Sequence, residues 1–464
     1  MSDQYQNFIE QSQAKSFDLE HRRTLKFNIS QYDHSVVIGK EQYADLELAK
    51  QRASHIKTKV IDNLEKHLTD FETNFSKNGG KVIWAETGKE AVDEILKIMK
   101  SAKARSVVKG KSMTTEEIHI NEELQKVDIE PIETDLGEYI VQLAGEAPYH
   151  IVTPAMHKSK EDVAALMYEK EGLPPNSTPE QITEHVRQVL RKKFTSAEVG
   201  ITGANFIIAD IGGIAVTENE GNALMTMAFP KVHIVVVGIE KMLPYMKDLD
   251  LFWSLLSTYG TGQNITVYNT ILTGPKKSKE DDGPEEMYVL LLDNGRTDLL
   301  NQIEQRSALS CIRCGACLNG CPVYKAVGGH AYGSTYSGPI GSIITPHFKG
   351  MNEFKHLSYA SSLCGKCTDV CPVKIDIHKL LLYNRNQAVQ QKMTTRKERW
   401  SMFLWKKGML RRRTMNKIGA GMKNFLLNVF FKSMWGSNRE MPRVAPKSYN
   451  ELWKERNESS SSLN

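Results

Sequence analysis

Cysteine is missing from the first 310 residues of this 464-residue chain and from everything after residue 371. The seven cysteines lie in two short runs, so no scattered partner exists for a disulfide, and their odd number suits no closed disulfide scheme. The opening Met-Ser-Asp-Gln-Tyr is polar and does not begin a secretory signal, so the thiols are expected in a reducing cytosol. Long apolar runs are lacking as well. The longest, such as Val-His-Ile-Val-Val-Val-Gly-Ile at residues 232–239, fall far short of the ~20 residues needed to cross a bilayer. No complete Gly-x-Gly-x-x-Gly or Walker pattern occurs, and no Rossmann fingerprint argues for a flavin.

What is present is concentrated chemistry. Residues 311–322 read Cys-Ile-Arg-Cys-Gly-Ala-Cys-Leu-Asn-Gly-Cys-Pro, and residues 361–372 read Ser-Ser-Leu-Cys-Gly-Lys-Cys-Thr-Asp-Val-Cys-Pro. The first is C-x2-C-x2-C-x3-C-P, in which three closely spaced thiolates hold one iron–sulfur cluster and the fourth reaches a neighbouring one. Applied here, that exchange predicts Cys311, Cys314, Cys317 and Cys371 on one cluster, and Cys321, Cys364 and Cys367 on a second. The second set is one thiolate short. Alignment of the runs puts Ser361 where the leading cysteine would stand. The second cluster is therefore either a [3Fe-4S] centre or a [4Fe-4S] centre whose odd iron takes the Ser361 oxygen, water or a partner's ligand; two [4Fe-4S] clusters are the expectation. Zinc ribbons also use C-x2-C pairs, but have no use for a third cysteine one step further or for C-x3-C-P twice. The proline, with no amide hydrogen and a fixed φ, ends each ligand loop. Lys366, Thr368 and nearby amides are expected to tune potential.

The length allows two or three domains. Composition is that of an ordinary globular protein, with 40% hydrophobic and 25% charged residues. Charge is unevenly spread: residues 392–443 hold fourteen Lys or Arg against two Glu, so this tail outweighs the whole-chain net charge of +5 and the remainder is acidic.

Residues 1–78 are expected to form a helical arm, with apolar residues from Tyr43 to Phe71 at mostly three- and four-residue steps. His21, Arg22 and Arg23 either touch an anion or lie on a solvated helix face. From Asn78-Gly79-Gly80 onward, short β-branched runs alternate with helical stretches, which predicts an α/β domain with a mostly parallel sheet over residues 79–296. Strands are expected at 81–85, 106–109, 128–133, 150–153, 206–209, 213–217, 232–238, 265–272 and 287–292, with Pro131 confining the third to an edge. Helices are expected at 89–102, 115–126, 160–169, 179–194 and 241–258. A helix over 297–309 then leads to Cys311, the glycine-rich 328–341 is a loop packed near the clusters, and short helices follow at about 352–361 and 375–386.

Three polar clusters fall among these elements. The turn from Lys109 to Thr115 either offers a phosphate or carboxylate a helix N-terminus or simply joins a strand to a helix, with Thr114 and Glu117 at capping-box spacing. The second is the turn 134–138. The third is the stretch Asp210 to Asn222, where Glu218 and Glu220 are acid/base groups on one reading and caps on the other.

The stretch Gly-Ala-Asn-Phe-Ile-Ile-Ala-Asp-Ile-Gly-Gly-Ile-Ala-Val-Thr-Glu-Asn-Glu-Gly-Asn at 203–222, the cysteine runs, and Tyr-Ser-Gly-Pro-Ile-Gly at 336–341 together resemble the lactate utilization protein B family, from about residue 20 to the C-terminus. The resemblance implies a bacterial iron–sulfur subunit of a three-protein system that oxidises L-lactate to pyruvate and allows growth on lactate. It also implies an α/β domain related in fold to sugar-phosphate isomerases and coenzyme A transferases. That domain would be followed, over 297–390, by a helical two-cluster ferredoxin domain like those of succinate dehydrogenase and heterodisulfide reductase subunits. Sister subunits are the implied partners and a quinone-linked acceptor is a further one.

The region 391–464 mixes Trp400, Phe403, Trp405 and Phe425 with Arg411 to Arg413 and scattered lysines. It suits docking on an acidic partner or on this protein's own α/β domain, or a peripheral position on an anionic inner membrane face; no nucleic-acid module accompanies the charge. Electron transfer is the leading reading, as a subunit of an L-lactate dehydrogenase complex. In the alternatives, the α/β domain itself binds and turns over a 2-hydroxy acid or acyl thioester at the Lys109–Thr115 and Asp210–Asn222 loops, or the chain is an iron–sulfur sensor.

Overall fold

Two unbroken apolar strands, β7 (Val232–Gly238) and β10 (Glu286–Leu292), lie side by side and parallel in the interior of the main sheet. Strands buried on both faces need no polar alternation, which is why these two read as continuous hydrophobic runs. They belong to a computed structural model that describes residues 2–411, 417–435 and 440–461. Added to them are β1 (Lys81–Ala85), β2 (Ser106–Lys109), β3 (Glu130–Glu133) and β4 (Val199–Thr202), in the order β1-β10-β7-β4-β2-β3, every pair parallel. Pro131 lies in β3, at the edge, where its missing N–H costs no ladder bond.

A second, four-stranded sheet was not expected. It runs β8 (Met242–Leu243), β5 (Phe206–Ile208), β6 (Gly213–Glu218) and β9 (Tyr268–Leu272), with β5–β6 and β6–β9 antiparallel. Its residues Phe206, Ile208 and Ala215 join a core that includes Leu25 and Ile29 of the N-terminal helices and the apolar residues around the cysteine runs. The helices Leu46–Asp62 and Leu64–Lys77 pack Val60, Leu68, Phe71 and Phe75 against strands of both sheets. Phe71 and Phe75, both fully buried, each contribute on the order of 2–3 kcal/mol by leaving water.

Several expected elements differ. Residues 150–153 are not a strand. The His150 Nδ1 accepts from the backbone N–H groups of Val152 (3.1 Å) and Thr153 (3.3 Å), closing a local turn that diverts both amides from a sheet. The helix expected at 115–126 is two, Met113–Glu117 and Ile120–Gln125, parted by His119 at φ 53°. The cap of the first is Ser112, whose side chain accepts from the Thr115 N–H, and not Thr114. The helix expected at 241–258 starts only at Leu249, because Met242 and Leu243 pair with Ile207 and Ile208 instead. Asp135, read as part of a turn, caps the helix Leu136–Ala144. The stretch 297–309 holds Arg296–Leu300 and a separate turn at Arg306–Ser310, and the glycine-rich segment ends in a buried helix, Gly338–Phe348.

The chain up to Ala388 forms one compact unit, and a second begins at Val389. In the second, the helices Arg396–Met409 and Ala420–Leu426 bury none of their residues. Arg412 and Arg413 of the triple arginine lie outside the described residues. Among the described residues no helix is long and apolar enough to cross a membrane.

Candidate metal centre and adjoining cavity

Each cysteine run folds along the same backbone track. Arg313 (φ 62°) and Leu363 (φ 54°) occupy equivalent positions in the left-handed region, as do Gly315 (φ 79°) and Gly365 (φ 82°). A short helix follows each glycine, Ala316–Asn319 in the first run and Lys366–Asp369 in the second. Such alternation curls successive amides toward one centre and suits an anionic group. A side chain at position 315 would be strained twice, by the positive φ and by a Cβ 3.0 Å from Val152 Cγ2.

The track brings distant thiols together. Cys311, Cys314 and Cys317 share one small cavity with Cys371, closed by Ile151, Ile312, Ile340, Val373 and Ile375. Backbone N–H groups point at the sulfurs: Arg313 N lies 3.4 Å from Cys311 Sγ and Ile375 N lies 3.3 Å from Cys371 Sγ. Burial pushes the Cys314 and Cys317 thiols far up and raises Cys371 to about 11, each being adjacent to other thiols. Cys321 and Cys367 are buried, Cys364 is exposed, and Cys321 and Cys367 each sense Cys364; burial chiefly raises Cys367, to about 12. Tyr324 N lies 3.5 Å from Cys321 Sγ. All seven cysteines are free. Four thiols facing one apolar cavity, with amides directed at the sulfurs, form a donor set that fits an iron–sulfur cluster: soft ligands, hydrogen-bonded and shielded from water.

Ser361 follows the same geometry. Its hydroxyl accepts from Leu363 N at 3.1 Å, the counterpart of Arg313 N to Cys311 Sγ. Thr368 Oγ1 accepts from the His378 N–H (3.2 Å) and lies 2.8 Å from its Nδ1, while Lys366 is exposed.

A buried ionic network, which sequence reasoning missed, joins this loop to a helix end at Glu117 and a turn at Glu240 in the α/β domain. Arg296, fully buried, donates to Glu117 Oε2 (2.8 Å) and Glu240 Oε2 (2.6 Å), and Arg313 reaches Glu240 Oε1 at 3.3 Å. Tyr336 donates to Glu117 at 2.6 Å. Burial would raise Glu240, but Arg296 and Arg313 outweigh it and hold the carboxyl at about 2. The one local signal for Arg313 was a cation between two ligand cysteines.

The polar loops of the α/β domain converge only in part. Lys111, Ser112 and Thr114 line a cavity of about 410 Å³ with Glu218, Glu220 and Asn222. Lys109 does not reach it; buried, it pairs with Glu116 (2.9 Å) and Glu133 (2.8 Å). Asp210 accepts instead from Met246 N (3.0 Å). Glu218 caps the helix Asn222–Ala228 through Ala223 N and Leu224 N, both 2.8 Å. Burial and the neighbouring Asp135 raise Glu220 to about 7. His21 is buried and within 2.8 Å of the Tyr149 hydroxyl, so of the trio only Arg22 and Arg23 face solvent.

The parallel α/β sheet followed by a cysteine-lined helical region defines an iron–sulfur protein, and family models agree: a LUD domain matches residues 68–292 and a 4Fe-4S dicluster domain matches residues 307–375. Over longer spans the chain is 46% identical to lactate utilization protein B of Shouchella clausii, across 75% of this chain and 74% of that protein. It is 41% identical to the protein of the same name in Bacillus cytotoxicus, across 88% of each. The chain belongs to the lactate utilization protein B family.

Proposed function

We propose that this chain is an electron-transfer protein of lactate utilisation, carrying two clusters, both [4Fe-4S], with Cys311, Cys314, Cys317 and Cys371 on the first and Cys321, Cys364, Cys367 and the Ser361 oxygen on the second. The observation that carries the reading is the cavity in which three neighbouring cysteines meet Cys371 from the other run. Clusters bound there supply one-electron chemistry. The surrounding residues set its terms: amides on Cys311 and Cys371 sulfur stabilise negative charge, the buried Arg313 cation does the same, and the isoleucine walls exclude water. The names of the relatives supply lactate as the physiological context. Electrons from lactate oxidation would enter and leave through sister subunits and a downstream acceptor, with the basic tail as a docking element on an acidic partner.

Anaerobic purification followed by iron and sulfide analysis and electron paramagnetic resonance tests this directly. About eight irons, with signals only after dithionite reduction, is the expected result. About seven irons and a signal in the oxidised protein would make the second centre [3Fe-4S]. Zinc with little iron would overturn the reading.

A further inference from the structure

The turn 134–138 runs into the helix Leu136–Ala144 and brings Glu138 to an open cavity of about 640 Å³ that holds none of the seven cysteines. Glu116 and Glu133 line the same cavity, and Glu133 ends β3 directly opposite Lys109 at the end of β2. Lys109 serves two of these acids and has nothing left for the third. Its ammonium carries three hydrogens, and they go to Thr115 Oγ1 (3.2 Å), Glu116 (2.9 Å) and Glu133 (2.8 Å). The next cation, Lys111, is bonded to the Val152 carbonyl. Glu138 is 2% exposed, yet among the described residues no hydrogen bond or ion pair reaches its carboxylate, and its Oε1 is sealed from water without a partner. Glu133, also 2% exposed, has an Oε2 in the same condition. Buried carboxylate oxygens left without a donor are costly, so this wall calls for a second cation beside Lys109.

We propose that Glu116, Glu133 and Glu138 together bind one hard divalent cation, of the Mg²⁺, Mn²⁺ or Ca²⁺ class, at the carboxyl ends of β2 and β3. One oxygen from each of the three lies within 4.8 Å of the others. Oxygens that share such an ion stand no more than about 4–5 Å apart, twice the ligand distance, so the three are already within its span. A donor set made only of carboxylate oxygens selects hard cations and disfavours the soft metals that cysteine takes. Charge agrees with the count of ligands. Three carboxylates less the Lys109 ammonium leave two negative charges, which one divalent ion cancels. The cavity supplies room for water at the remaining positions of the ion. Held this way, the helix that carries Glu138 is tied to the edge strand β3.

The test is titration of the full-length, anaerobically purified protein with Mn²⁺ after passage over a chelating resin, the free ion being read by electron paramagnetic resonance at room temperature. The expected result is one Mn²⁺ per chain with Kd below about 1 mM, the weak limit of oxygen-built sites, displaced by Mg²⁺ or Ca²⁺ with iron content unchanged. Glu138→Gln keeps the shape and removes the charge. It should weaken binding at least about tenfold and, without divalent ion, raise the urea midpoint, because an unpartnered buried carboxylate is gone. Glu116→Gln, on the more open side of the group, should also weaken binding and decides the matter if the first variant fails to fold. Glu122→Gln, on the exposed rim of the same cavity, should leave the affinity unchanged. No saturable Mn²⁺ binding would overturn the site and leave a proton on Glu138. Binding undiminished in Glu138→Gln and Glu116→Gln, or weakened equally by Glu122→Gln, would overturn it as well, since the ion would then lie elsewhere or only in the diffuse field of surface acids.

Discussion

Leu363 donates its backbone N–H to the Ser361 hydroxyl across 3.1 Å, and the equivalent bond in the first run ends on Cys311 sulfur. A serine is thus held where a thiolate would be. Ser361→Ala is expected to cost the second centre one iron and to give an oxidised-state signal, while Ser361→Cys keeps the full iron count and shifts the reduced spectrum. Iron analysis with electron paramagnetic resonance reads both. An unchanged spectrum in the alanine variant would remove Ser361 from the ligand set.

Cys314→Ala removes a buried thiol from the cavity shared with Cys371. Iron content should fall by about half, with the signal of the second centre retained and growth on lactate lost. Unimpaired growth with the fold intact would sink the electron-transfer reading.

Replacing Arg296 with Met leaves Glu117 and Glu240 buried with fewer partners. The loss should be about 3–5 kcal/mol, read as a lower urea midpoint. A smaller cost would mean that water or Arg313 takes over. Glu240, held at about 2, contributes stability that is complete above its ordinary value of 4.5 and is lost as the pH falls toward 2.

His233 is fully buried, 2.8 Å from Thr202 Oγ1, and burial lowers it to about 3. The folded protein keeps this ring neutral while the unfolded chain protonates it below its ordinary 6.5. Stability is therefore complete above 6.5 and declines toward 3, by about 1.4 kcal/mol per pH unit. His233→Gln should flatten urea midpoints measured between pH 6.5 and 5 by that one proton.

The cysteine chemistry was legible because ligand spacing is local: three thiols within seven residues name their purpose without a fold. Strands β7 and β10 were legible because burial on both faces leaves an unmistakable composition. The central strand β4 was not, because Gly200 interrupts it. A Cβ there would lie 2.2 Å from the Thr226 carbonyl oxygen, so the glycine serves a helix that packs from elsewhere in the chain. His150 looked like the start of a strand because a side chain that captures its own neighbours' amides has no composition signature. The loops 109–115 and 210–222 were singled out from polarity alone. Which of their residues face one cavity depends on where Lys109 finds its acids and Asp210 its amide, and both answers are tertiary.

Arg296 stands four residues beyond the end of the LUD match at 292, yet its guanidinium is enclosed by acids from inside that match. The seam between the two family domains is therefore not a neutral cutting point. A recombination event that exchanged the iron–sulfur half exactly there would strand Glu117 and Glu240, so the α/β half travels as an exchangeable cassette only if it takes its arginine along.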